Sequence, residues 1–255
     1  MILRRVIDHV KAQHWTAVFL DFVIVVAGIL IAFQITAWSE TSREHQRSAE
    51  YLSRIRADLA ADMAELNTHQ SFWREVAEEG YKAIHYAETG ETAGATDWEI
   101  LRAFLNASQA WQFTFIDSTY SELRSAGELN LIPDPDMRSA LADYYVLVAA
   151  RRGGLGPYNL LPAYREKIRG RTPSQIMRYY WRACFEQGPG VQVFIDCPPP
   201  ENAPDLKAVI DGYAADQQIL DDLRYWTDTQ TMALDLADFD LGRAQSLIDQ
   251  VDKMK

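Results

Sequence analysis

The sequence predicts an all-α protein, one N-terminal transmembrane helix followed by an extracytoplasmic helical bundle. Three observations carry that expectation. From Phe22 to Ser39 there is no charged residue and nearly every side chain is apolar, and about 18 such residues suffice to cross a bilayer as a helix. Beyond this run, apolar residues recur at intervals of three and four, the repeat of one helix face, from Leu52 to Val251. Strand-like alternation stands out only in the short VQVFI of Val191–Ile195.

Residues 1–14, MILRRVIDHVKAQH, place Ile2, Leu3, Val6, Ile7 and Val10 on one helical face and Arg4, Arg5, Asp8 and Lys11 on the other. That pattern suits a short cytoplasmic amphipathic segment lying on the membrane surface. The span covers residues 15–38, with Trp15 and Trp38 at the depths where aromatic belts anchor membrane helices. Its apolar run is longer than the roughly 7–15 residues of a signal-peptide core, and Ile35-Thr36-Ala37 makes a poor cleavage site, so an uncleaved anchor is expected. The short N-terminal flank carries three basic groups, whereas Arg43, Arg47, Arg54 and Arg56 on the other side are balanced by Glu40, Glu44, Glu50 and Asp58. This places the N-terminus in the cytoplasm and residues 39–255 outside it.

Within the span, Gly28, Ala32 and Thr36 recur every four residues as a narrow stripe of small side chains. Lipid tails provide no hydrophobic drive for helix pairing, so close backbone contact along such a stripe is a common substitute, although small residues are also frequent in lipid-facing positions. Asp21 lies about two turns before Gly28 on roughly the same side. It reads either as a wetted boundary acid or as an ion-pair or proton site against a partner's helix. Gln34 is a second polar group within the span.

No Gly or Pro occurs between Gly28 and Gly80, so the anchor is expected to run straight into a long helix with Leu52, Ile55, Leu59, Met63, Leu66, Trp73 and Val76 on one face. A loop follows at Glu88–Ala95. Thr96 or Asp97 caps a helix through about Trp111, and Asp117 or Ser118 caps one ending at Gly127. Asp134-Pro135 opens a helix to Arg152, which Gly153–Pro157 breaks. Thr172-Pro173 opens another through Phe185. Pro204-Asp205 begins a last long pattern through Leu206, Val209, Ile210, Tyr213, Leu220 and Leu223, resuming at Leu241, Leu247, Ile248 and Val251.

Cys184 and Cys197 are the only cysteines, in the Gly- and Pro-rich stretch ACFEQGPGVQVFIDCPPP. A disulfide between them closes a short loop worth about 3 kcal/mol and places the domain in an oxidising compartment; the alternative is two unrelated buried thiols. No further Cys and no His lies near enough for a zinc site. The net charge is −11, and setting aside Arg4, Arg5, Lys11, Asp8 and Asp21 leaves the remainder at −12. So acidic a domain repels phosphate backbones, which excludes nucleic acid as the expected partner.

Two stretches, VIVVAGILIAFQITAWSE (residues 23–40) and TYSELRSAGELNLIPDPDMRSALADYY (residues 119–145), resemble an uncharacterised family of bacterial single-pass membrane proteins known only as a domain of unknown function. The resemblance implies a short N-terminus, one inner-membrane helix and a helical periplasmic domain; it implies no activity. That family usually has Asn-Asn-Trp-Asn where this chain has Thr36-Ala37-Trp38-Ser39. Physically the internal motif reads as helix, turn and helix start: Leu123, Ser125 and Ala126 facing the core, Gly127 in a left-handed turn, and Leu129, Leu131 and Ile132 tucked inside. Glu122 and Arg124 form either a packing joint or a surface ligand site.

Catalytic patterns are missing from the sequence. The five histidines His9, His14, His45, His69 and His85 form no HExxH or ExxH, Ser125 has no G-x-S-x-G around it, and Gly153–Gly156 lacks the Lys-Ser/Thr of a phosphate loop. Asn106-Ala107-Ser108 matches a glycosylation sequon placed inside a helix. Tyr179, Tyr180, Trp181 and Arg182 make either a core-facing cluster or a pocket with a cationic edge. The expectation is a non-enzymatic accessory or scaffold subunit without cofactor or metal, whose partners are the lipid bilayer and other membrane-protein subunits or copies of itself. The competing class is a tethered ligand-binding or sensing domain, which a tail ending at Lys255 and a cytoplasmic segment of about 14 residues disfavour as a lone receptor.

Overall fold

A computed structural model describes residues 15–152 and 157–254; the expectations for residues 1–14 and for Gly153–Gly156 lie outside them. The chain is built on one helix, α1 (Trp15–Thr89), which at 1.5 Å per residue is about 110 Å long. Its continuity follows from the lack of any helix breaker between Gly28 and Gly80. Leu52, Ile55, Leu59, Leu66, Trp73 and Val76 are buried and Met63 half-buried, so the predicted apolar face is the core face.

The second wall is α8 (Gln217–Lys253), capped by Asp216. It runs antiparallel to α1: Arg224 pairs with Glu88, the Gln70 amide donates to Asp238 and the Leu234 carbonyl, and Arg56 pairs with Asp252. The two helices pack tightly at Gly80, where a Cβ would clash with Thr227 Oγ1 and lie 3.0 Å from its Cγ2. Thr227 Oγ1 is buried and, among the described residues, without a hydrogen-bond partner. Gly80→Ala is therefore expected to lower stability by about 1–3 kcal/mol, although alanine is the better helix former. Urea unfolding followed by circular dichroism measures this, and Thr227→Ala in the same chain should recover part of the loss. A neutral or stabilising Gly80→Ala would contradict the close crossing.

Between these two helices in chain order come α2 (Asp97–Asn106), α3 (Ser118–Ala126), a 3-10 turn (Leu129–Leu131), α4 (Pro135–Arg152), α5 (Ala163–Arg171), α6 (Ser174–Ala183), an antiparallel hairpin of β1 (Phe185–Gly188) and β2 (Val191–Phe194), and α7 (Leu206–Ala214). Thr96 opens α2 with a full capping box to Glu99. The helix stops at Asn106, not at Trp111 as the sequence suggests. There Ser108 and Gln109 both turn their side chains back onto the Leu105 carbonyl, competing with the helix ladder. The segment that follows is extended, with Phe113 and Phe115 buried and Gln112 and Thr114 exposed; this alternation the sequence reading missed. It also missed α5, which buries only Tyr164 and Ile168, and it carried α6 into Phe185, the first residue of β1. The last pattern is two helices divided at Ala215–Asp216.

Candidate interaction surface

Among the described residues, the N-terminal third of α1 touches no other element. Every residue from Phe19 to Trp38 is exposed, including Phe22 at 64 %, Phe33 at 69 % and Trp38 at 76 %. This segment is long and apolar enough to cross a membrane. Twenty consecutive exposed positions of this composition exceed by far the apolar patches that water-facing helices carry. A Cβ at Gly28 would meet nothing within 4 Å, and the Thr36 hydroxyl donates to the Ala32 carbonyl at 3.0 Å, so its polar atom is satisfied inside the helix. Gly28, Ala32, Thr36 and Asp21 thus occupy one continuous, open side of a regular helix.

Beyond half-buried Ser39 the helix is exposed again as far as Arg47, about 14 Å along its axis from Trp38. Arg47 there pairs with Glu128, and one and two turns on Tyr51 and Arg54 both donate to Glu122. The Glu122 carboxyl is held below the usual carboxylate range by Arg54 first and then by Tyr51. This joint is the internal motif that the sequence singled out. Leu123 is fully buried, Gly127 takes φ +70° and ends α3, and Leu131 and Ile132 enter the core. Ser125 and Ala126, expected inside, are exposed, because α3 ends there and its buried residues are Thr119, Tyr120 and Leu123. Glu122 is committed to α1, which makes the motif a packing joint.

A feature invisible in the local sequence locks the same joint. The cap position Asp117 makes no side-chain cap on α3. Instead Asp62 accepts from the Ile116 amide at 2.8 Å and Asp58 from the Thr119 amide at 3.3 Å. Two carboxylates one turn apart on α1 thereby serve the start of another helix, where negative charge is favoured.

The Tyr179–Arg182 cluster divides: Tyr179 and Arg182, nearly one turn apart, line one open cleft, whereas Tyr180 and Trp181 point elsewhere. Tyr180 is buried with its hydroxyl donating to Asn106 Oδ1 at 2.8 Å, and the Tyr179 hydroxyl donates to the Pro198 carbonyl. Trp181 lies beneath the Arg169 guanidinium, 4.8 Å from ring centre to Cζ. Arg178 and Arg182 line an open cleft of about 510 Å³ against Pro198–Asn202. Asn106, the sequon asparagine, is the last residue of α2 and is buried. Among the described residues no three His, Cys, Asp or Glu side chains group as metal ligands.

Cys184 and Cys197 form a disulfide across the base of the hairpin, and both are buried. The Trp98 indole donates to the Cys197 carbonyl at 2.8 Å, and Phe194 stacks on Phe72 of α1, tying the hairpin to the long helix. A disulfide of this kind indicates an oxidising compartment. Comparison of the chain with protein-family models, with curated proteins and with solved structures gave no match.

Proposed function

We propose that the chain is a non-enzymatic, membrane-anchored accessory or scaffold subunit, acting by association with a larger membrane complex or with itself. The observation that carries this reading is the uninterrupted exposed apolar face of Phe19–Trp38 on a helix whose other end is the core of the folded domain. Whatever covers that face is mechanically continuous with the domain, because no hinge residue lies between Gly28 and Gly80. The disulfide and the basic N-terminal flank support an arrangement with the domain in the periplasm of a bacterial inner membrane. Small residues along one side let a partner's backbone approach closely, which is where packing between membrane helices gains most.

The test is Gly28→Ile in the full chain, purified in mild detergent. A Cβ at this exposed position meets nothing within 4 Å, so folding should be unchanged, while co-purification of a stoichiometric partner, or self-association, should be lost. Leu30→Ile, of equal volume and off the stripe, should change nothing. Asp21→Asn in the same assay separates an ion-pair role from a boundary acid. Association that survives Gly28→Ile would move the contact away from this stripe.

A further inference from the structure

On α5 four cationic side chains follow one another at alternate positions, and the structure treats them unequally. Lys167 pairs with Asp222 and Arg171 pairs with Asp216, both on α8 or its cap. Arg165 and Arg169, one turn apart on another side of the helix, are half-buried and have no carboxylate within ion-pair distance among the described residues. In a chain of net charge −11, where 36 acids stand against 25 bases, two adjacent half-buried guanidiniums left without one are unexpected. Burying an unpaired cation is costly, and two together repel. Burial, with Arg165 as the next cause, pulls Arg169 down to about 10, and burial lowers Arg165 as well.

The pair is also held in place. Arg169 donates to Gln109 Oε1 at 2.7 Å and to Ser108 Oγ at 3.3 Å, with Trp181 under its plane. Among the described residues Arg165 makes one long side-chain bond, 3.4 Å to the Ser108 carbonyl, so most of its donors have no protein partner there. Both face a cleft of about 430 Å³ that is otherwise lined by Leu161, Pro162, Ala163 and, at its exposed rim, Glu166. That volume lies in the range of small-ligand sites.

We propose that this cleft binds a small oxyanion, a carboxylate or a phosphate, between Arg165 and Arg169. The planar forks of two guanidiniums match the oxygen geometry of either group, and Arg169 is pre-set by its contacts so that little ordering is needed on binding. The anion supplies the negative charge that the fold itself withholds from this pair. The proposal is independent of membrane association, because the cleft belongs wholly to the folded domain.

Isothermal titration of the full chain in detergent, at constant ionic strength, tests it with inorganic phosphate in one arm and acetate in the other. One of the two anions should bind saturably at one site per chain; the arm that responds identifies the group recognised. Arg165→Gln should weaken that binding by about tenfold or more, the worth of a charge-assisted contact, and its one long hydrogen bond makes it safe for the fold. Arg169→Gln removes the contact to Gln109 as well, so its binding loss counts only with an unchanged circular dichroism spectrum. Arg178→Gln, on the separate cleft of α6, should leave binding unchanged. Absence of saturable binding in both arms, binding that survives Arg165→Gln, or an equal loss in Arg178→Gln would each overturn the proposal.

Discussion

Trp73→Ala is expected to destabilise the domain by about 3–5 kcal/mol, the largest single-residue effect in the molecule. Trp73 is 2 % exposed on the core face of α1 and stacks on Tyr158 with ring centres 5.0 Å apart and planes 13° from parallel. Its indole N–H donates to the Trp111 carbonyl at 3.0 Å. Truncation leaves a cavity beside His69 and Tyr158 and strips the Trp111 carbonyl of its donor, so transfer, cavity and hydrogen-bond losses coincide. Trp73→Phe keeps most of the volume and should cost clearly less. Urea midpoints by circular dichroism measure both. A Trp73→Ala loss under about 1 kcal/mol would mean that the segment 109–117 does not dock on α1 as described.

That docking shows where sequence reading ends. The length of α1 was legible because helix punctuation is local: no Gly or Pro interrupts 29–79, and the apolar face repeats. The stripe of Gly28, Ala32 and Thr36 was legible for the same reason, since one helix alone sets which residues share a side. The segment WQFTF was not, because its aromatics look like helix content until Ser108 and Gln109 end α2 just before it. Nor was α5, whose two buried residues give a helix too little apolar pattern to be seen against its charges. Caps supplied from another helix, as Asp58 and Asp62 supply α3, leave no trace in local spacing. The arginines are the sharpest case: within REKIRGR, Lys167 and Arg171 cannot be told from Arg165 and Arg169 until the fold brings Asp222 and Asp216 to one pair and not to the other.

Removing the disulfide as Cys184→Ala together with Cys197→Ala is expected to cost about 3 kcal/mol. The bridge spans a sequence separation of 13, and closing a loop of that size removes that much conformational freedom from the unfolded chain. Alanine is the appropriate replacement, because both sites are buried and a serine hydroxyl there would need a partner. The native contribution is concentrated in the hairpin. Two isolated strands are marginal in water, and β1–β2 is held by the bridge, by Ile195 N–H donating to the Cys184 carbonyl, and by Phe185 and Phe194 packing beside Phe72. Hydrogen exchange should therefore accelerate first at the amides of Val191–Ile195 and much less along the paired core of α1 and α8. Treating the native protein with a reductant should lower its urea midpoint in the same direction, and mass analysis before reduction should find two hydrogens fewer than the free-thiol chain. Free thiols in the purified protein, or a midpoint indifferent to reductant, would remove both the stabilisation and the argument for an oxidising compartment.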